Sequence, residues 1–184
     1  MKKFLAVIIA VVVLGGLFFV SAYNGLVSQA EAVDGAFANI ETTLQRRADL
    51  VPNLVNTVKG YAAHETEAID SVVSARARLA GARGVEEIAD ADNELTAALG
   101  NLLLVVENYP DLKASANFTQ LADELAGTEN RIAVARKDYN DAVRAYHIKI
   151  RRFPNNLLAG MFGFTEKAYF EADDAAYDVP QVDF

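Results

Sequence analysis

The chain has 184 residues, 17 basic against 25 acidic side chains, two histidines and no cysteine. This length suits one domain of ordinary size with a buried core. The lack of cysteine excludes disulfides, thiolate nucleophiles, Cys-ligated metal sites and cysteine-linked lipid anchors. A net charge of −8 argues against nucleic acid as a partner, because phosphate binding needs a local surplus of cations.

The first predicted element is a membrane-spanning helix at residues 4–22. This stretch of 19 residues carries no charge, and as a helix it is about 28 Å long, which matches the hydrocarbon core of a bilayer. Lys2 and Lys3 precede it, and the next basic residue is Arg46. The positive-inside rule therefore predicts a single-pass membrane protein with a cytoplasmic amino terminus and the bulk of the chain extracytoplasmic.

A cleaved signal peptide is the alternative reading of the same segment. Val20-Ser21-Ala22 fits the small-residue cleavage pattern, and Gly15-Gly16 lies where an apolar helix of a signal peptide breaks. The apolar run over residues 4–20 is longer than a usual signal-peptide core, and a helical pattern begins directly at Tyr23. We therefore favour a retained anchor that contacts membrane lipid through residues 4–22.

The remainder predicts an all-α fold of four helices separated by Pro52, the Gly81/Gly84 pair and Pro110, with Pro154 after the last. Apolar residues recur every three or four positions, which is typical of helices that pack along one seam. Pro52 suits the first turn of the second helix, and Asn117 with Gln120 resembles a capping box for the fourth. The predicted seams are Tyr23, Leu26, Ala30, Val33, Phe37, Ile40, Leu44, Arg47 and Val51; Leu54, Val58, Tyr61, Glu65, Ala68, Val72, Ala75 and Leu79; Ile88, Ala91, Leu95, Leu99, Leu102, Val106 and Tyr109; and Phe118, Leu121, Leu125, Thr128, Ile132, Ala135, Tyr139, Val143, Tyr146, Ile150 and Phe153.

Short connections make neighbouring helices antiparallel, so we expect an elongated up-down-up-down four-helix bundle at 23–153, between the anchor at 1–22 and a membrane-proximal segment with an acidic tail at 154–184. The turns at 46–53 and 107–117 would then share the end distal to the membrane, and the carboxyl-terminal segment would lie beside it. Arg151 and Arg152 precede a short apolar stretch at 157–164, and we interpret residues 151–164 either as an interfacial segment or as a flap over the bundle. Residues 165–184 hold six acids and one lysine, and we expect a loosely held strip.

Several long motifs follow in a fixed order: Leu44-Gln45-Arg46-Arg47-Ala48-Asp49-Leu50-Val51-Pro52-Asn53, Glu107-Asn108-Tyr109-Pro110-Asp111-Leu112, and Thr128-Glu129-Asn130-Arg131-Ile132-Ala133-Val134-Ala135-Arg136. In these motifs the chain resembles the LemA family of membrane-anchored bacterial proteins, over roughly residues 23–171. The resemblance implies an N-terminal membrane helix, an elongated four-helix domain and no established activity. Phe37, where the family usually has Trp, and His147, where a Tyr-Asn pair is usual, depart from the pattern.

Two groups of residues are candidates for a site. Arg47 falls on the first seam, where a buried guanidinium needs acidic partners, and we expect Asp49 and Glu107 in that role rather than an anionic ligand. The candidate interaction residues at the distal tip are Arg46, Arg47, Asp49, Pro52, Asn53, Glu107, Asn108 and Tyr109. A candidate polar layer between the second and fourth helices comprises Lys59, Tyr61, His64, Glu65, Glu129, Asn130 and Arg131, and its simplest interpretation is a hydrogen-bonded layer that fixes helix register.

We expect no enzyme activity, cofactor or metal. His64-Glu65 begins like a zinc-protease motif, but the second histidine is missing at Ala68, and neither histidine follows a glutamate by three residues as a di-iron site requires. The favoured hypothesis is a membrane-anchored scaffold that presents a helical rod to another envelope protein. The alternative is a membrane-organising protein that acts through residues 151–164 and self-association as a homo-oligomer, and the least favoured is a ligand or metal sensor.

Overall fold

The computed structural model describes residues 1–171, apart from the side chain of Lys2. Within that part of the chain every regular element is helical and no strand occurs. The helices are α1 (Lys2–Lys59), α2 (Thr66–Gly81), α3 (Gly84–Val106), α4 (Pro110–Lys113), α5 (Ala116–Arg151) and α6 (Asn155–Phe162). The prediction of an all-α protein is confirmed for these residues.

One predicted boundary is wrong: α1 continues through Pro52 to Lys59, and the turn that follows lies at 60–65 instead of 46–53. A proline inside a helix removes the hydrogen bond to the carbonyl four residues earlier, here that of Ala48. The Nε–H of Arg76 on α2 donates to this carbonyl oxygen at 2.8 Å. The arginine therefore replaces the missing backbone donor, and the helix tolerates the proline.

Because Arg76 replaces the donor that Pro52 lacks, the effects of substituting these two residues on the free energy of unfolding should not add. Arg76→Gln should lower the free energy of unfolding by about 1–3 kcal/mol, because it deprives a buried carbonyl of a charged donor. In a Pro52→Ala background the restored backbone N–H reaches the Ala48 carbonyl, so the same substitution should cost much less. Chemical denaturation of the four chains measures the coupling. Arg78→Gln, at an exposed arginine on the same helix, is the control that should stay additive, and additive behaviour of Arg76→Gln would contradict the exchange.

The predicted seams are buried at most positions. On α3 the residues Ile88, Ala91, Leu95, Leu99, Leu102 and Val106 are all buried, and on α5 the buried seam residues are Phe118, Leu125, Thr128, Ile132, Tyr139, Val143, Tyr146 and Ile150. Several positions differ from the prediction, and among them Tyr23, Tyr61 and Phe153 of the predicted seams are exposed. On α2, Ile69 is buried where Ala68 was expected. The amino terminus of α5 lies at Ala116, with the Ser115 hydroxyl accepting from the Phe118 N–H, so Asn117 is not its cap.

The chain forms two compact units. Unit 1 comprises Met1–Phe37 and Asp138–Lys167, and unit 2 comprises Ala38–Lys137 and Ala168–Phe184, of which the structure describes residues up to 171. In unit 1, α1 contains a helical stretch long and apolar enough to cross a membrane, and none of its most apolar window is buried by protein. The predicted membrane-spanning segment is thus an exposed apolar helix, as a lipid-facing segment must be.

Unit 1 also brings α6 against the first part of α1. The Phe162 ring lies 5.8 Å from the Phe19 ring and 4.9 Å from the Tyr23 ring, measured between centroids, and the Phe164 ring lies 6.0 Å from that of Tyr23. Gly163 ends α6 with a positive φ of 76°, a conformation that favours glycine. The carboxyl-terminal apolar segment therefore contacts the end of the membrane-length stretch.

The segment after α6 is more firmly held than expected for a loose strip. The Tyr146 hydroxyl donates to the Thr165 carbonyl at 2.8 Å, the Lys167 N–H donates to His147 Nε2 at 3.1 Å, and the Lys167 ammonium lies 2.8 Å from the Asp34 carboxylate. The expectation is wrong for residues 165–167, because α5 and α1 supply partners for them. Residues 172–184 of the predicted strip lie outside the described residues.

The buried phenol of Tyr146 should make the protein less stable at high pH. Burial raises the pKa of its phenol above the usual value of 10.0. The unfolded chain therefore loses this proton first, and stability should fall as the pH rises above 10. Tyr146→Phe should lower the free energy of unfolding by about 1 kcal/mol at neutral pH through the lost hydrogen bond, and should flatten the alkaline decline. Denaturation across pH 8 to 11 tests this, with Tyr61→Phe at an exposed tyrosine as control; an unchanged slope in Tyr146→Phe would contradict it.

Candidate functional site

A cluster of four charged side chains joins three helices of unit 2, and we call it the buried ion-pair cluster. Arg47 on α1 lies 2.8 Å from Asp92 on α3 and 2.8 Å from Glu129 on α5. Arg136, also on α5, lies 2.7 Å from the second oxygen of Asp92. Asp92 thus bridges two guanidinium groups, with one carboxylate oxygen on each.

The sequence places these charges in the interior through the helical repeat. Arg47 follows Ile40 and Leu44 on the buried face of α1 and is only 4% exposed. Asp92 is 1% exposed, one turn after Ile88 on α3. Since the backbone directs both side chains inward, each can keep its charge only by pairing with the other. The expected partners of Arg47, Asp49 and Glu107, are wrong: both are exposed and Asp49 accepts a hydrogen bond from Gln45.

The electrostatics of the buried ion-pair cluster are those of a neutral structural unit. Burial raises the pKa of the Asp92 carboxyl above its usual value, while the guanidinium groups of Arg47 and Arg136 act in the opposite direction. The two arginines and two acids carry no net charge when all are ionised. The Arg136 guanidinium also lies over the Phe170 ring, 4.9 Å from its centroid. The cluster therefore ties helices together and offers no unopposed cation to an anionic ligand.

A second candidate surface consists of two turns of unit 2, at 60–65 and 107–109, which we call the paired turns. The Tyr109 hydroxyl donates to the Glu65 carboxylate at 2.7 Å, and this hydrogen bond raises the pKa of the phenol. The first and third interhelical turns therefore contact each other, although the first lies later in the chain than predicted. Tyr61, His64 and Asn108 are exposed around this contact.

The paired turns contain part of each predicted residue group. Glu107, Asn108 and Tyr109 come from the predicted tip; Tyr61, His64 and Glu65 come from the predicted polar layer. The other tip residues lie along α1: Arg46, Arg47, Asp49, Pro52 and Asn53. Lys59, from the predicted polar layer, lies at the carboxyl-terminal end of that helix. Because Lys59 is 12 residues beyond Arg47, it lies about 18 Å farther along the helix than the buried ion-pair cluster.

The structure does not assemble the predicted polar layer. Glu129 binds Arg47, whereas Glu65 binds Tyr109, so the two acids serve different levels of unit 2. Asn130 and Arg131 are exposed on α5. Arg131 instead lines a shallow groove of about 640 Å³ together with Arg46, Asp123 and Glu124. The two arginines and the two acids of this groove balance in charge. The prediction set residues 59–65 opposite residues 129–131 because it placed the first turn too early in the chain.

Three side chains that form these contacts are not among the predicted site residues: Asp92, Arg136 and Arg76. Asp92 had a readable signal, since it stands between Ala91 and Leu95 on the apolar face of its helix. An acidic side chain on a buried helix face predicts a cationic partner nearby, because an unpaired buried charge is costly. Arg136 and Arg76 each stand next to a seam alanine, and nothing in the sequence distinguishes them from ordinary surface arginines.

Taken together, the exposed membrane-length helix, the internally paired charge cluster and the paired turns define a class: over residues 1–171 this is a helical protein with an apolar N-terminal segment. The LemA family model matches residues 36–184, and the chain belongs to that family. The resemblance drawn from the sequence motifs is thereby confirmed.

Relatives of this chain include proteins named MamQ and LemA. The chain is 31% identical to magnetosome protein MamQ 2 of Paramagnetospirillum magneticum, over 87% of this chain and 70% of that protein. It is 27% identical to magnetosome protein MamQ of Magnetospirillum gryphiswaldense over the same shares of the two chains. It is also 24% identical to protein LemA of Metamycoplasma hominis, over 94% of this chain and 80% of that protein.

Proposed function

We propose that this protein is a non-enzymatic, membrane-anchored scaffold that presents a helical domain outside the cytoplasm to another envelope protein. The observation that carries the proposal is the apolar stretch of α1, which is unburied and passes without a break into the packed seam at Leu26 and Val33. A helix so built joins anchor and domain with no flexible linker between them. The amino terminus would be cytoplasmic, because Lys2 and Lys3 precede the span.

We further propose that α1, α2, α3 and α5 form the antiparallel four-helix bundle expected from the sequence. Three contacts support it within unit 2. The buried ion-pair cluster links α1, α3 and α5; Arg76 links α2 to α1; and the Tyr109–Glu65 hydrogen bond links the paired turns.

The paired turns are the proposed partner-binding surface. Tyr61 is 52% exposed there, and tyrosines with both an apolar ring and a hydroxyl are common at binding hot spots. His64, Glu107 and Asn108 surround it with polar groups of mixed charge, as expected of a protein-binding rim. The buried ion-pair cluster would hold the helices below this surface in register.

Site-specific photocrosslinking in cells tests the scaffold proposal. A photoreactive amino acid at His64 or Asn108 should give an adduct of one fixed mass, while the same amino acid at exposed Glu31 on α1 should not. Tyr61→Ser should abolish the adduct formed at Asn108, because it removes the aromatic anchor of the surface. The absence of an adduct from the paired turns, or an equal adduct from Glu31, would contradict the proposal.

The membrane-organising hypothesis differs from the scaffold in requiring self-association. Its support is the apolar surface that α6 exposes, described below, and it predicts a homo-oligomer of the full-length chain in the bilayer. Single-molecule subunit counting in vesicles distinguishes the two functions. The scaffold predicts one chain per particle at low protein-to-lipid ratio, and stable multiples would favour membrane organisation instead.

A further inference from the structure

The short helix α6 exposes an unusual amount of apolar surface. Leu157 is 59% exposed and Met161 is 73% exposed, whereas Leu158 and Ala159 on the other side are buried. Leu157 and Met161 are four residues apart and share one face of the helix. One face of α6 is thus packed on protein, while the apolar face that carries Leu157 and Met161 is largely exposed.

The position of α6 is fixed by its contact with α1. The Phe162 ring meets the ring of Phe19, and Phe19 lies three residues, about 5 Å, inside the end of the apolar stretch 4–22. A helix that crosses the bilayer with residues 4–22 therefore places Phe162 at the edge of the hydrocarbon layer. Tyr23, which contacts both Phe162 and Phe164, stands where aromatic side chains are enriched at membrane interfaces.

We propose that α6 is a second membrane contact of this protein: it lies in the outer interface of the bilayer, with Leu157 and Met161 against lipid acyl chains. This inference rests on the proposed anchor at residues 4–22. Eight residues of helix measure about 12 Å, far too short to span, so α6 lies along the surface.

The chemistry of the neighbouring residues fits a lipid surface. Arg151 and Arg152 precede α6, and both are exposed. Arg151 is paired with Glu166 at 2.7 Å, while Arg152 supplies an exposed cation suited to lipid phosphate. A bilayer is favoured over a protein partner because the α6 contact on Phe19 continues the apolar surface of the span itself, which lipid must cover.

Fluorescence quenching by brominated lipid tests the contact directly. The chain has no cysteine, so Met161→Cys in the full-length protein accepts one bimane label. The probe is a vesicle of phosphatidylcholine and phosphatidylglycerol in which some acyl chains carry bromine near the headgroup. Leu17→Cys, 63% exposed within the span, serves as the inserted control.

Gly35→Cys is the control outside the membrane: a side chain there meets open space, and the position lies 13 residues, about 20 Å, beyond Ala22 on the same helix. We expect quenching of the Met161 label to approach that of the Leu17 label and to exceed that of the Gly35 label several-fold. A Met161 label quenched no more than the Gly35 label, with Leu17 quenched, overturns this inference and leaves the anchor intact.

Two further outcomes also count against the inference. An unquenched Leu17 label would remove the anchor, and the second membrane contact with it. Quenching of the Met161 label by a nitroxide at the same position of another chain, without quenching by brominated lipid, would show that a second copy covers α6.

Discussion

Replacing Asp92 by asparagine should lower the free energy of unfolding by about 3–5 kcal/mol, the usual cost of breaking one side of a buried ion pair. The substitution keeps the shape of the side chain but removes its charge, so Arg47 and Arg136 lose their common partner. Glu129 remains beside Arg47, yet its side chain is 49% exposed and cannot replace a fully buried carboxylate. Chemical denaturation monitored by circular dichroism measures the loss.

The matched control is Glu94→Gln, two residues along the same helix. Glu94 pairs with Arg78, and both side chains are well exposed, at 43% and 61%. Exposed pairs contribute less than about 1 kcal/mol, so this substitution should change stability little. Equal losses from Asp92→Asn and Glu94→Gln would contradict a structural role for the buried ion-pair cluster.

The second large effect concerns the anchor. Val12→Arg combined with Val13→Arg places two charges at the centre of the apolar stretch, where each costs about 3 kcal/mol on insertion scales. The native chain should remain in the membrane pellet after alkaline carbonate extraction, and the double variant should be largely released. The interfacial contact of α6 is too short to hold the chain against this extraction.

A control with the same two substitutions outside the span separates charge from position. Val73→Arg with Val134→Arg changes two valines that are 46% and 59% exposed on α2 and α5, and this variant should stay in the pellet. Release of the native chain by carbonate would contradict a retained anchor. So would an intact mass that lacks residues 1–22, which would establish the signal-peptide alternative.

Helix identity and buried faces could be predicted because they depend on a local, repeated property. Spacings of three and four residues place Leu95, Leu99, Leu102 and Val106 on one side of any α-helix, whatever lies opposite. The membrane-length stretch was readable for a similar reason, since length and lack of charge are visible without knowing the neighbours. Family membership followed from motifs distributed along most of the chain.

The errors arose where a distant side chain decides the local outcome. A proline usually ends or kinks a helix because it lacks a backbone N–H. At Pro52 the helix continues, since Arg76, 24 residues away, donates to the Ala48 carbonyl in place of that N–H. Placing the first turn too early moved Arg47 to the tip and suggested Asp49 and Glu107 as partners. The actual partner, Asp92, is 45 residues away, and a pairing at that separation depends on how α1 and α3 pack.

In a bilayer, α6 and the carboxyl-terminal end of α5 should lie beside the carboxyl-terminal end of the apolar stretch 4–22. The most direct test measures the distance between two spin labels on the full-length protein in vesicles, introduced by Asn24→Cys and Asn156→Cys at exposed positions. The ring contacts between α1 and α6 predict a separation of roughly two helix diameters, about 20 Å. A separation near the full length of α5, about 54 Å for its 36 residues, would contradict it.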